Sequence, residues 1–345
     1  KLLFSYYCHS NYTQNMSDKL KIVLTGGNGF LGSHLVDRLL LENTEVHCIV
    51  RESSNLKWLN GKNIHIHTCG LKDIDAVSKV FENVDYIFHL AGVVAALSYE
   101  DYYYGNVELT KNLLEAALPH KEGLKKIVVT SSLAVGGPCT KETPIDETGG
   151  FNAISLYGKA KVEQEQLCAQ YYNRLPITIA RPSVISGERE VELFEFIKTV
   201  NQGLVPLVGS EDKYVGIVNV KDLTEGFYQM ALSSNTAGEA YYMSSEEVIS
   251  WKELGEICAN KLGNKPLYLH LPHFVIRSAG AIAGFFGRLS GKAPTFDAEK
   301  AKEGVKSAWI CKVNKAKSDF GFVQTVSIKD GVEQAIDWYK ENNWL

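Results

Sequence analysis

The sequence lacks the features of a disulfide-stabilised, nucleic-acid-binding or membrane-spanning protein. Its seven cysteines are scattered, odd in number and without a CxxC pair, so neither a disulfide framework nor a zinc site is predicted. A net charge of -4 without a basic run argues against a nucleic-acid partner. No stretch approaches the roughly 20 apolar residues that span a bilayer, and the longest candidate, residues 274–289, is interrupted by Arg277 and Arg288. We therefore expect a cytoplasmic protein without a transmembrane segment.

The remaining composition is typical of a globular protein with two lobes. Of the 345 residues, 45% are hydrophobic and 22% are charged, which suits a full α/β core and a smaller lobe. Residues 16–19 (MSDK) look like a natural start, so we interpret residues 1–15 as an extension that is disordered or not native. We predict a first domain over residues 16–186 and a second lobe over residues 187–345, interleaved with the first.

A glycine-rich turn, TGGNGFLG at residues 25–32, lies between an apolar run and a helical pattern. The run before it is typical of a buried parallel strand. The glycines allow a tight reversal, close approach to the backbone and close packing of helix on strand, with an anion at the positive end of the helix. We predict that the pyrophosphate of a dinucleotide contacts five residues of this turn: Gly26, Gly29, Phe30, Leu31 and Gly32.

Strands and helices alternate after this turn as far as residue 186. That spacing predicts an α/β fold, a Rossmann-like doubly wound parallel sheet followed by a smaller, mostly helical C-terminal substrate lobe. Ligands of such sheets lie beyond the carboxyl ends of the strands. The fourth predicted strand ends at Leu90 and Ala91, which we expect to line the adenosine side of a cofactor.

The end of the second predicted strand carries Arg51. In a dinucleotide fold an acidic residue about 20 residues past the glycines binds the ribose 2′-hydroxyl, whereas an arginine accommodates a 2′-phosphate. Ser53, Ser54 and Lys57 supply further donors nearby. We therefore predict NADP as the cofactor, with NAD as the alternative because Glu52 adjoins Arg51. A solvated loop charge is the non-functional interpretation of this arginine.

Ser132, Tyr157 and Lys161 have the spacing of a proton-transfer site. Tyr157 and Lys161 are four residues apart and share one face of a helix predicted over 155–172. A tyrosine with its ordinary pKa of about 10 is a poor base at neutral pH, but an adjacent ammonium favours the phenolate. Ser132 follows the fifth predicted strand and can hold a substrate oxygen while Tyr157 moves the proton. A surface Tyr–Lys pair is the alternative.

Together these motifs resemble the extended short-chain dehydrogenase/reductases from residue 19 to the end of the chain. The glycine turn is similar to the family's GxxGxxG cofactor motif. Three residues are similar to its catalytic triad: Ser132, Tyr157 and Lys161. The chain departs from the family after the third strand, where Cys69-Gly70-Leu71 replaces the usual Gly-Asp-Leu. The aspartate contact to adenine is lost there, and only backbone near Leu71 could replace it.

The resemblance also implies roles for single residues and for the assembly. Lys161 would hold the nicotinamide ribose as well as tuning Tyr157. Pro182 would belong to the turn beside the nicotinamide. Asn106 looks like the family's asparagine on the helix lining the site, with a helix N-cap as its alternative role. The family further implies a homodimer through the helices at Asn106 and Tyr157.

Differences among the branches of the family favour a reductase of apolar molecules. Ser132 is followed by Leu133 and Ala134, not by the Asp-Glu pair of sugar-nucleotide dehydratases. The asparagine and the Arg-Asp pair typical of sugar-nucleotide epimerases are also missing. The C-terminal lobe looks like the 3β-hydroxysteroid dehydrogenase and dihydroflavonol reductase branch. We expect interconversion of a secondary alcohol and a ketone on a largely apolar small molecule; an NDP-sugar epimerase with tightly bound NAD and a non-catalytic redox sensor are the alternatives.

Two segments outside these motifs have open interpretations. Residues 271–289 are apolar and glycine-rich, as in a buried or subunit-contact helix, a lid over the substrate or a patch on a membrane surface. His65 and His67 share one face of the third strand. Two histidines without a third ligand are more often structural, so we predict no metal.

Overall fold

A computed structural model describes residues 19–294 and 296–345. The extension predicted over residues 1–15 lies outside the described residues. Within them, a parallel sheet has helices on both faces, and a second group of helices and short strands forms its own core. The predicted Rossmann-like α/β fold is confirmed.

The central sheet contains seven parallel strands. In chain order they are β1 (Leu20–Thr25), β2 (Thr44–Ile49), β3 (His65–His67), β4 (Tyr86–His89), β5 (Lys126–Thr130), β6 (Ile177–Pro182) and β10 (Ala240–Met243). Across the sheet the order is β10, β6, β5, β4, β1, β2, β3. The order reverses at β1, where ligands of such sheets bind. β10 comes from the C-terminal part of the chain, which is therefore interleaved with the sheet.

Six helices cover the two faces of this sheet and bury its apolar residues. One face packs against α1 (Phe30–Leu39), α7 (Val220–Leu232) and α11 (Asn314–Phe320). The other packs against α2 (Ile74–Val80), α4 (Leu109–Ala117) and α5 (Leu156–Ala169).

The helix that contains Asn106 starts before the apolar pattern of the sequence indicates. It starts as α3 (Tyr99–Tyr103), widens into a π-helical turn (Tyr104–Glu108) and continues as α4. Ser98 begins it by accepting a hydrogen bond from Asp101 N. The run of tyrosines and acids from residue 99 hides the apolar period, which is why the sequence pattern misses these first turns.

The second lobe has its own core and several short strands. Its helices are α6 (Glu192–Asn201), α8 (Trp251–Leu262), α9 (His273–Ser290), α10 (Ala298–Gly304) and α12 (Ile328–Glu341). Its strands are β7 (Val184–Ser186), β8 (Leu204–Val208), β9 (Tyr214–Asn219), β11 (Val248–Ser250), β12 (Leu267–Leu271) and β13 (Ala308–Trp309). None of the helices in the described part of the chain has the length and apolarity to cross a membrane.

Candidate active site

The glycine turn brings three backbone segments into close contact. A Cβ at Gly26, whose φ is +73°, would lie 2.7 Å from Ala91 N, and a Cβ at Gly32 would lie 2.1 Å from Gly26 O. Because the neighbours are backbone atoms, a side chain at either position would force the turn to rebuild. Leu90 N and Ala91 N donate to the carbonyl and hydroxyl of Thr25 at 3.1 and 3.2 Å. The ends of β1 and β4 therefore form one surface with the turn.

Helix α1 presents an uncapped N-terminus at this turn. Gly29 is the N-cap residue and offers no side chain to the N–H groups of Phe30, Leu31 and Gly32. No acidic residue lies in the first turn to repel an anion. Free N–H groups and the helix dipole favour a phosphate at this position. The turn therefore fits the pyrophosphate of a nicotinamide dinucleotide.

The remaining predicted cofactor residues lie at other strand ends along the same edge. Arg51 is exposed, two residues past β2, and its backbone N donates to Ser54 Oγ at 3.1 Å. Leu71 is buried beyond β3, and Pro182 is the last residue of β6. The structure brings these residues to the cofactor edge, and their individual contacts with a dinucleotide stay predictions.

Tyr157 lies in the first turn of α5 with Ser132 beside it. Ser155 begins the helix by accepting a hydrogen bond from Gly158 N at 3.1 Å. Burial raises the pKa of Tyr157 to about 12, and the hydrogen bond with the Ser132 side chain opposes that rise. Tyr157 is therefore protonated at neutral pH in the free protein. Its hydroxyl can donate a proton to an oxygen held by Ser132.

Lys161 follows Tyr157 by one turn and is buried. Its Nζ donates to Thr130 O and to Gln164 Oε1, each at 2.9 Å, and lies 6.0 Å from the centre of the Tyr157 ring. Burial lowers the pKa of Lys161 to about 8. These two hydrogen bonds hold the Lys161 ammonium in place, one helical turn after Tyr157. Its influence on the pKa of Tyr157 stays a prediction.

Helix α10 brings charged residues to the site that the sequence interpretation missed. Among the cations, Lys300 lowers the pKa of Tyr157 most, whereas Glu192 raises it. Lys300 Nζ donates to Glu192 Oε2 at 3.2 Å. Glu299 accepts a hydrogen bond from Leu156 N at 2.7 Å and so caps the helix that carries Tyr157. That contact joins residues 143 positions apart, which no local spacing indicates.

Asn106 lies within the π-helical turn and clamps the loop after β4. Its Oδ1 accepts from Val93 N at 3.1 Å, and its Nδ2 donates to Val93 O and Tyr102 O at 2.9 Å each. The alternative role of Asn106 as an N-cap is wrong, because the helix starts two turns earlier. A Cβ at Gly92 would lie 2.7 Å from Asn106 Oδ1 and 3.4 Å from Lys161 Nζ. A side chain at residue 92 would therefore displace the amide of Asn106 and crowd Lys161.

A buried chain of hydrogen bonds connects Lys161 with the cofactor edge. Gln164 accepts from Lys161 and donates to Thr110 Oγ1 at 2.8 Å. His89 bonds Thr110 through Nε2 at 2.8 Å and Thr25 through Nδ1 at 2.7 Å. Burial lowers the pKa of His89 to about 3, so its ring is neutral. These hydrogen bonds fix β1, β4, α4 and α5 relative to one another. The residues that form them were not predicted from the sequence as a group.

A buried ion pair lies one turn beyond Lys161. Glu165 accepts two hydrogen bonds from Arg181 Nε, at 3.0 and 3.2 Å, and one from Nη2 at 2.7 Å. Ser131, the neighbour of Ser132, also donates to Glu165. The pair therefore ties α5 to the ends of β5 and β6, where the candidate catalytic residues lie.

The histidines of the third strand belong to a cluster at the edge of the sheet. Ligand atoms of Glu45, His47 and His65 lie within 4.8 Å of one another. His47 bonds Glu45 at 2.8 Å through Nε2 and His67 at 2.9 Å through Nδ1. These side chains are on β2 and β3 and take no part in the Tyr157 arrangement. The prediction of no metal stays a prediction.

The glycine cradle at the reversal of a parallel sheet, together with Ser132, Tyr157 and Lys161, defines a dinucleotide-dependent enzyme of the extended short-chain dehydrogenase/reductase type. The family model of the NAD dependent epimerase/dehydratase family matches residues 22–243. The chain belongs to that family. Its enzymes are NAD-dependent, and this chain is an NAD(P)-dependent oxidoreductase of the same type.

Curated relatives cover nearly the whole chain at low identity. An N-acetyl-α-D-glucosaminyl-diphospho-ditrans,octacis-undecaprenol 4-epimerase of Escherichia coli O157:H7 is 25% identical, with 92% of this chain and 94% of the relative covered. A ceramide reductase of Caulobacter vibrioides is 22% identical, with 94% and 96% covered. Others are named as sugar-nucleotide epimerases, a decarboxylase and a further reductase. One of these epimerases, from Oryza sativa, is 34% identical but matches only 45% of this chain and 41% of the relative.

Solved structures share the fold over the same span. The UDP-glucuronic acid 4-epimerase of Bacillus cereus, in complex with UDP-glucuronic acid and NAD, has a TM-score of 0.75 and 22% identity. The match covers 94% of this chain and 100% of that one. At this identity the likeness concerns the fold, and the substrate has to be argued from the residues of this chain.

Proposed function

We propose that this enzyme interconverts a secondary alcohol and a ketone on a largely apolar small molecule. The observation that carries the proposal is the position of Tyr157 one helical turn before the buried Lys161, whose Nζ lies 6.0 Å from the centre of the Tyr157 ring. Ser132 polarises the substrate oxygen, Tyr157 Oη gives it a proton or takes one, and Lys161 stabilises the phenolate form. Bound NAD(P)H or NAD(P)⁺ supplies the hydride donor or acceptor.

The arginines of the chain argue against recognition of a nucleotide diphosphate. A fixed diphosphate is best held by the planar fork of an arginine. Arg51 lies at the cofactor edge. Three other arginines pair with carboxylates: Arg38, Arg181 and Arg189. Arg174 stacks on a tyrosine, and Arg277 and Arg288 lie on exposed positions of α9. The substrate site is therefore left without an arginine clamp.

The names of two relatives support a substrate with a long apolar part. One acts on a diphospho-undecaprenol carrying a sugar, and the other on a ceramide. In this chain Lys300 and Glu192 lie near Tyr157, so the group next to the reacting carbon is polar. We propose an amphipathic substrate, with a polar end at Tyr157 and an apolar remainder.

An NDP-sugar epimerase is the second candidate, and two of the other named relatives are UDP-glucose 4-epimerases. In that reaction the same Tyr157 serves both half-reactions, the cofactor stays bound and no net oxidation occurs. Lys300 would then take the place of the missing arginine. The two candidates therefore differ in the nucleotide that the purified protein retains.

The experiment is a nucleotide assay followed by a titration. The purified protein is denatured to release any retained nucleotide, and a second sample is titrated with NADPH and NADH. Exchangeable binding, followed by oxidation of NADPH with long-chain ketones, is the expected result. Stoichiometric NAD with turnover of nucleotide sugars and no net oxidation would contradict the proposed reaction.

Replacing Arg51 with alanine is expected to weaken NADPH binding by about tenfold to a hundredfold and to leave NADH binding within about twofold. The reason is that the substitution removes a hydrogen bond to the charged 2′-phosphate, which only NADPH carries. Titration by fluorescence measures both constants. Arg174→Ala removes an exposed arginine elsewhere and serves as the control. Equal losses for the two cofactors would contradict the proposed preference for NADP.

The rate of ketone reduction is expected to fall as the pH rises above about 8. Tyr157 Oη gives up its proton in this direction, and the Lys161 ammonium stabilises the phenolate that remains. Because burial lowers the pKa of Lys161 to about 8, the ammonium is present below that pH and lost above it. The pH profile of kcat at saturating substrate, with NADPH binding measured alongside, tests this expectation. A profile that stays flat well above that pH would contradict it.

The proposal extends to the assembly and its location. We propose a cytoplasmic homodimer that forms through the helices containing Asn106 and Tyr157, as the family resemblance implies. These residues lie on the π-helical turn and on α5. Helix α9 is a separate element, and this dimer would leave it uncovered.

A further inference from the structure

Helix α9 packs most closely on its neighbours through glycines. Of its 18 residues, the buried ones are Gly280, Gly284 and Gly287. A Cβ at Gly280 would lie 2.5 Å from Asp297 O, and one at Gly287 would lie 2.7 Å from Pro294 Cδ. Close approach on this side leaves the phenylalanines of the helix on the other sides, while Val275 and Ile276 are half-buried.

The outward face of α9 is an exposed apolar surface. Five large side chains on it are between 53% and 70% exposed: Phe274, Ile282, Phe285, Phe286 and Leu289. At about 100° of rotation per residue, they fall within one sector centred opposite the glycines. The described residues place no other element over this face. Exposed apolar patches of this kind mark an interaction site.

The charges around this face have one sign. Arg277 and Arg288 are three turns apart, which aligns them in a row along one edge of the apolar sector, and Lys292 follows the helix. No aspartate or glutamate occurs between Glu256 and Asp297. The chain as a whole has a net charge of -4, so this segment is a local basic region on an acidic protein.

We propose that α9 docks the enzyme on an anionic lipid surface. The helix would lie flat, with its apolar sector among the upper acyl chains and its arginine row at the level of the lipid phosphates. This arrangement is that of an interfacial helix, in which apolar burial and attraction to anionic lipid add. The cations select a lipid surface over an uncharged apolar partner.

The docking helix is coupled to the active site through α10. Gly280 of α9 contacts the start of α10, and α10 carries Lys300 and Glu299, which reach Tyr157 and its helix. A docked α9 would therefore hold α10, and with it Glu299 and Lys300, near the lipid. The inference stands on the helix itself and does not depend on the proposed reaction.

The test is flotation of the full-length protein with vesicles. Vesicles of phosphatidylcholine alone are compared with vesicles that also contain phosphatidylglycerol. We expect binding to the anionic vesicles, weakened by salt, and a fall of at least about tenfold in the partition coefficient for the double variant F285S/F286S. The double variant R277E/R288E is expected to lose the preference for anionic vesicles.

Two control variants test whether vesicle binding depends on α9 in particular and not on exposed apolar residues or net charge in general. L41S/V323S removes two other exposed apolar side chains, and K121E/K329E makes the same change in net charge elsewhere. Both are expected to bind as the unmodified protein does. Equal or absent binding to the two vesicle types would overturn the inference. So would self-association that F285S/F286S abolishes, because a second copy would then cover the face.

Discussion

Replacing Tyr157 with phenylalanine is expected to lower turnover by about 10²–10⁴-fold, the usual loss on removing a general acid or base. The variant keeps the ring, which packs 6.2 Å from the ring of Tyr102, and loses only the hydroxyl that meets Ser132. Lys161 cannot substitute, because its Nζ is committed to Thr130 and Gln164. The substrate oxygen is then left without its proton donor.

Cofactor binding separates this chemical role from a structural one. The glycine turn and Arg51 do not contact Tyr157 through any hydrogen bond, so NADPH binding is expected to change by less than about threefold. Single-turnover kinetics and a titration measure the two properties. Tyr102→Phe removes a hydroxyl from the neighbouring buried tyrosine and is expected to retain turnover within a few fold. Unchanged turnover in Tyr157→Phe would refute the proposed role, whichever substrate is used.

The cofactor cradle could be predicted from the sequence because its determinants are contiguous. Strand β1, the glycine turn and α1 occupy one stretch from Leu20 to Leu39, and each signals its own conformation. The same is true of Tyr157 and Lys161, whose relation depends only on the period of one helix. The relative positions of residues within one strand, turn or helix depend on that element alone and not on how the rest of the chain packs around it.

The surroundings of Tyr157 could not be predicted, because they depend on distant segments. Glu299 and Lys300 reach the site from a short helix in the second lobe, and their sequence context indicates only a charged helix. The sequence leaves an N-cap as the alternative role of Asn106, since the tyrosine run before it shows no apolar period. Its position inside a π-helical turn follows from the bonds to Val93 and Tyr102, which no spacing reveals.

Helix α9 shows the limit of composition as a guide. The sequence gives its apolar and glycine-rich character but leaves open a core helix, a subunit contact, a lid and a membrane patch. The structure rules out a core helix, because the fully buried residues of α9 are glycines and its phenylalanines are exposed. Which side of a helix is buried depends on the partner it meets, and here the partner is α10.

Replacing Glu165 with alanine is expected to lower the free energy of unfolding by about 3–5 kcal/mol. The change leaves the Arg181 guanidinium buried among Ser131, Tyr242 and β6 without its carboxylate. The side chains of the pair are only 10% and 4% exposed, so water cannot replace the lost bonds. Urea unfolding followed by circular dichroism measures the loss.

Two further variants test whether the cause is the unpaired charge. Glu195→Ala breaks an exposed pair with Lys198 and is expected to cost less than about 1 kcal/mol. The double variant E165L/R181M removes both charges together and is expected to recover most of the stability lost in Glu165→Ala, since the desolvation cost of the pair disappears with it. If the double variant were as unstable as the single one, packing and not the unpaired guanidinium would be the cause. Because Ser131 adjoins Ser132 and Glu165 follows Lys161 by one turn, a recovered fold with reduced turnover would assign the pair to positioning of the catalytic residues.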